Sequence, residues 1–274
     1  MITTAPLIPQ TSLFAMGFTG VLCIAVPIVL LIVFKNRFRV KAAPFFFGVI
    51  TFIIFAIVLE SFAHEYFLSG TTGLSQAILN NPFLYAIYGG LAAGIFEEFG
   101  RFFCMLTVMK RFMYQKENSI IYGIGHGGME AIFIGAFTML QNLMVAVVLN
   151  DYGSVEAYAG QSGSAEGAKV VTDLLNTLID TPASAYILSG IERMAALVLQ
   201  IALSVLVYKA VIRKKYAYIL VPIVLHALID VIAAFYQTGL VTNLLLLEAI
   251  VIIYAIAVAI YAYRQYHLLS YDEY

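Results

Sequence analysis

Residues 83–109 read FLYAIYGGLAAGIFEEFGRFFCMLTVM, and this stretch decides the fold. It is long and apolar enough to cross a bilayer, for which about 20 residues at 1.5 Å rise suffice. Yet Glu97, Glu98 and Arg101 sit inside it. A charge at mid-membrane costs about 2.5–3.5 kcal/mol on insertion scales, so such groups persist where they face one another, water or a ligand. The stretch therefore predicts a membrane helix whose charged side looks inward.

Six further apolar segments accompany it, at about 12–34, 44–63, 119–149, 183–208, 216–237 and 239–263. The chain has 274 residues, of which 62% are hydrophobic and 11% charged, with a mean hydropathy of +0.93. A soluble domain carries about 25% charged residues, so that class is excluded. The net charge of −1 and the absence of a long basic run give no reason to expect a nucleic-acid partner. Cys23 and Cys104 lie in apolar stretches and read as small core residues. The first apolar segment has no preceding basic region and no small-residue cleavage site, and reads as a retained span.

Twelve of the fifteen Lys and Arg residues follow segments one, three, five or seven: Lys35 to Lys41, Lys110 to Lys116, Lys209 to Lys215, and Arg264. The positive-inside rule then sets the N-terminus outside and the C-terminus in the cytoplasm. The expectation is an all-α polytopic membrane bundle of about seven helices, forming a single integral membrane domain over 1–274. The one long outer connection, 150–182, opens with a flexible Gly/Ser/Ala-rich stretch. It continues as Ala168–Ile179, where Val171, Leu174, Leu175 and Leu178 suggest an interfacial amphipathic helix.

The remaining buried polar groups recur at helical spacing. Arg101 lies four residues after Glu97 and three after Glu98, within side-chain reach of both. His126 and Glu130 stand at i and i+4, as do His226 and Asp230. Gly123, Gly125, Gly127 and Gly128 around His126 permit close helix approach in lipid. Counted from the basic boundary at 1.5 Å per residue, Glu97, Glu130 and His226 stand about 17–20 Å up their helices, near a common midplane. Gln200 falls at nearly that depth, and Glu192-Arg193 forms a neighbouring acid–base pair toward the outer boundary.

Carboxylates and imidazoles in one chamber suit a divalent metal ion such as Zn²⁺, which turns bound water into a nucleophile. Its variant is a metal-free centre in which Glu97 activates water while His226 stabilises the oxyanion. A third reading is an ion-coupled transporter or partner-binding scaffold using the same charges, although no repeated halves or broken helices support it. Gly160-Gln-Ser162-Gly163 resembles a serine-protease motif only superficially, since no histidine shares its level.

Glu97-Glu98-Phe-Gly-Arg101, Gly125-His126-Gly-Gly-Met-Glu130-Ala131, Glu192-Arg193 and His226-Ala-Leu-Ile-Asp230 together resemble the YhfC family of intramembrane metalloproteases. That family is related to the CAAX prenyl endopeptidase-type (CPBP) and PrsW proteases. The likeness covers about 85–235, and implies a protease-type core at about 83–237. It also implies a membrane-embedded or membrane-associated peptide substrate and, by habitat, the plasma membrane of a bacterium. Glu97 matches the family's catalytic glutamate, with Glu98 and Arg101 beside it. His126, Glu130, His226 and Asp230 match groups that bind metal or the oxyanion. The leading reading is thus a glutamate-dependent, metal-assisted peptidase.

Overall fold

The computed structural model describes residues 6–269, and among them the chain is helical with no strand. In chain order the α-helices are α1 (Gln10–Phe38), α2 (Ala43–Phe52), α3 (Glu60–Phe67), α4 (Gly73–Leu79), α5 (Pro82–Leu106), α6 (Glu117–Glu130) and α7 (Phe137–Tyr152). They continue as α8 (Val155–Ala159), α9 (Ala165–Asp180), α10 (Ala183–Ile212), α11 (Leu220–Gln237) and α12 (Leu244–His267). Two π-helical segments weld neighbours into continuous rods. Ile53–Leu59 joins α2 to α3, and Ala131–Ala136 joins α6 to α7.

Among the described residues six rods are long and apolar enough to cross a membrane: Gln10–Phe38, Ala43–Phe67, Glu117–Tyr152, Ala183–Ile212, Tyr216–Gln237 and Leu244–His267. The expected seventh is α5, which has 25 residues but is less apolar because it carries Glu97, Glu98 and Arg101. Its start is set locally. Pro82 occupies the first turn, and the Asn81 side chain accepts hydrogen bonds from the Phe83 and Leu84 amides at 3.0 and 3.2 Å.

The described residues form two compact units. One comprises Met1–Ala25 and Ala131–Arg193. Its core gathers Ile8, Met16, Met139, Leu149, Leu175, Leu178 and Tyr186. The Thr19 hydroxyl donates to the Tyr186 carbonyl at 2.8 Å, which satisfies a polar group inside that core. The connection 150–182 is largely helical. Ser164 caps α9 by accepting from the Gly167 amide at 3.0 Å. Leu175 and Leu178 are buried and Val171 and Ile179 join them, but Leu174 is 66% exposed. The expected face thus needs one correction: at about 100° per residue Ile179 pulls the buried stripe round, and Leu174 falls beyond its edge.

The second unit comprises Val26–Glu130 and Met194–Tyr274. Glycines set its close helix contacts, as small residues do in lipid. A methyl on Gly90 or Gly94 of α5 would come within 2.5 or 2.8 Å of the Ala227 or Ile223 carbonyl of α11. A methyl on Gly48 of α2 would lie 2.7 Å from the His126 amide nitrogen, and one on Gly127 of α6 would lie 2.6 Å from Gln200 Cβ. Leu203, Leu206, Ile229, Val251 and Ala255 fill the space between α10, α11 and α12. Outside, the exposed side chains include Ile28, Ile32, Phe46, Ile253 and Ile260; inside are Glu97, Glu98, Arg101, His126, Gln200 and His226. Apolar groups out and charged groups in is the inverse of a soluble protein and the arrangement a bilayer stabilises.

Candidate active site

Three adjacent positions on α5 begin the site. Glu98 and Arg101 have no exposed surface and Glu97 is 6% exposed. Helical spacing turns both acids toward the guanidinium: Arg101 Nη2 lies 3.2 Å from Glu97 Oε2, and Nη1 lies 2.8 Å from Glu98 Oε1. One cation thus bridges two carboxylates away from water, an arrangement that holds only when further donors complete it.

Those donors arrive from three other helices. On α6, the close approach at Gly48 and Gly125 and an edge-on contact with the Phe52 ring (centroids 5.4 Å apart) seat His126. Its Nε2 lies 2.9 Å from Glu97 Oε2. From α10, the Gln200 amide donates to Glu97 Oε2 at 3.2 Å and also to Glu130 Oε2, while its oxygen accepts from Arg101 Nη2. From α11, His226 Nδ1 lies 2.8 Å from Glu98 Oε1. The Nε2 of that ring lies 3.3 Å from Asp230 Oδ2 and 4.0 Å from Glu97 Oε2.

The structure therefore brings Glu97, Glu98, Arg101, His126, Glu130, Gln200, His226 and Asp230 into one network. His126 and Glu130 share a helix face but reach different partners, Glu97 and Gln200. Asp230 lies at the edge, with its side chain 36% exposed. Glu192 and Arg193 belong to the other unit, where their side chains bond each other.

Sequence reasoning passed over three residues nearby. His64 Nε2 lies 3.3 Å from Glu60 Oε1, and its Nδ1 lies 2.9 Å from the Tyr88 hydroxyl. Glu60 and His64 repeat the i, i+4 acid–imidazole spacing of the other two pairs, a signal present in the sequence.

As side-chain chemistry this donor set suits a divalent ion, but its arrangement does not close around one. Among the described residues no three His, Cys, Asp or Glu side chains are grouped as ligands. Glu97 Oε2, the oxygen nearest both imidazoles, also takes the Arg101 and Gln200 bonds. A guanidinium 3.2 Å away holds the positive charge that a metal would bring.

Fold and site together define a polytopic helical membrane protein with a buried acid–imidazole–guanidinium cluster. A family model described as YhfC intramembrane metalloprotease matches residues 22–251, and the chain belongs to that family. An uncharacterized membrane protein, YhfC of Bacillus subtilis (strain 168), is 34% identical over 255 residues, covering 93% of this chain and 96% of the relative. No solved structure matches.

Proposed function

We propose that the protein is a glutamate-dependent intramembrane endopeptidase acting on membrane-embedded or membrane-associated peptides. The observation that carries this reading is the convergence of His126, Gln200 and Arg101 on a single oxygen of Glu97, Oε2. Three donors fix the carboxylate, and Oε1 takes none of these bonds. That oxygen is the general base. It accepts a proton from water while the water oxygen attacks the scissile carbonyl carbon; the C–N bond then breaks and Glu97 returns the proton to the departing nitrogen.

Glu98 orients His226 through Nδ1, at 2.8 Å, which leaves the Nε2 hydrogen for the substrate. A proton on Nε2, on the side facing Glu97 at 4.0 Å, then stabilises the oxyanion. Arg101 holds both acids, and Gln200 ties Glu97 to Glu130. The family's description implies a metal ion, yet the donors as arranged hold none at a common point, and each of these steps proceeds on the chain's own groups. In the proposed orientation the basic loops face the cytoplasm of a bacterial cell, so the N-terminus is outside.

The test is co-expression with a panel of tagged single-span reporter peptides. The wild type should cleave at least one, and Glu97→Gln should leave protein level and folding unchanged while abolishing cleavage. Cleavage undiminished in that variant rejects the assignment. Ion flux in proteoliposomes that depends on Glu97 and a gradient, without cleavage, would favour a transporter.

A further inference from the structure

Hydrolysis consumes one water for every peptide bond cut, yet Glu97 is only 6% exposed and lies among helices whose outer surface is apolar. Water must have a polar route inward. We propose that Glu60, His64 and Tyr88 line that route, leading from the α3 end of their unit to the Glu97 cluster. The proposal rests on the hydrolytic reading for its purpose, but not for its geometry.

Three observations carry it. The first is graded exposure along one connected set. The His64 side chain is 38% exposed, whereas that of Glu60, bonded to it one turn earlier, is 11% exposed. Tyr88 closes the other side through its hydroxyl, 2.9 Å from His64 Nδ1, with ring centroids 5.5 Å apart. The second is position. Tyr88 stands nine residues before Glu97 on α5, about 14 Å along the axis, and a methyl on Gly100 of α5 would meet the Phe55 ring at 2.5 Å, so the rod that carries Glu60 and His64 runs beside α5 from the level of Tyr88 to that of Glu97. Between those two contacts lies Glu60, bonded to His64, and the Asp230 side chain at the edge of the Glu97 cluster is itself 36% exposed.

The third is the backbone. Ile53–Leu59 is π-helical, and the Glu60 amide donates to the Phe55 carbonyl, five residues back. An extra residue in a turn re-aims everything after it by about 100° relative to an unbroken α-helix. Glu60 and His64 thereby turn toward α5, while Phe62 between them is 64% exposed. A buried carboxylate is costly in lipid unless partners or water face it. Water along the proposed route, together with His64, accounts for the retention of Glu60.

The experiment uses the full-length protein in proteoliposomes with Cys23 and Cys104 replaced by Ala. His64→Cys, Phe62→Cys and Tyr88→Cys are each exposed to a membrane-impermeant cationic methanethiosulfonate. Cysteines at 64 and 88 should react at least tenfold faster than the one at 62, two residues away and facing lipid. Equal rates at 62 and 64 would mean that this segment lies in bulk water or wholly in lipid, and would overturn the proposal. If His64→Cys fails to fold, the contrast between 88 and 62 decides. Once a cleaved reporter is known, modification at 64 should slow its hydrolysis at least tenfold and modification at 62 should not. Normal labelling with no hydrolysis in any variant would sink the peptidase reading alone; hydrolysis without the labelling contrast would sink the water path alone.

Discussion

Arg101 offers the sharpest stability prediction. Its guanidinium is fully buried and bridges Glu98 at 2.8 Å and Glu97 at 3.2 Å. Replacing it with Leu preserves bulk but leaves two buried carboxylates without their shared cation. Removing one partner of a buried pair costs about 3–5 kcal/mol. At 1.4 kcal/mol per tenfold, that lowers the folded-to-unfolded ratio by roughly two to three and a half orders of magnitude. Adding Glu98→Gln to Arg101→Leu removes the carboxylate left with His226 alone, whereas Glu97 keeps His126 and Gln200. The double variant should therefore recover about 2 kcal/mol, a coupling typical of residues in one network. Equilibrium unfolding in mixed micelles measures both. An Arg101→Leu protein within about 1 kcal/mol of wild type, or a double variant less stable than the single, would refute the reasoning.

Other consequences follow from particular contacts. Gly90→Ala places a methyl 2.5 Å from the Ala227 carbonyl, forcing α5 from α11. Overpacking of this kind should cost about 1–3 kcal/mol of thermal stability and, by displacing His226 from Glu98, slow cleavage by more than tenfold. Ser164→Ala removes the cap on α9 and should weaken that helix by about 1 kcal/mol, read as faster amide exchange at Gly167 with unchanged exchange in α12. His226→Ala should leave the divalent-metal content of the purified protein equal to wild type, because both ring nitrogens face carboxylates of the network. A stoichiometric ion present in wild type and lost in that variant would show that the donors regroup around a metal.

Hydropathy and charge spacing carried the helical membrane fold, because a rod in lipid must be apolar outside and satisfy its own backbone. The i, i+4 geometry of Glu97 with Arg101 and of His226 with Asp230 is likewise written in the spacing. The depth estimate also anticipated Gln200 at the level of the site, although not that its amide would bridge Glu97 and Glu130. What spacing cannot supply is register after an irregularity. The π segment at Ile53–Leu59 re-aims Glu60 and His64, which α-helical counting leaves at the end of a span. Leu174 shows the same limit on a smaller scale, since the buried face of α9 is set by the packing of Ile179.

The central claim is that Glu97 activates the attacking water, and purified protein in proteoliposomes tests it most directly. Given a cleaved reporter and H₂¹⁸O, mass spectrometry should find ¹⁸O in the new carboxyl terminus. Glu97→Gln should lower the rate by about 10²–10⁴-fold, the usual contribution of a general base, while the variant and the wild type unfold alike. Cleavage by the Glu97→Gln protein at the wild-type rate would contradict the account.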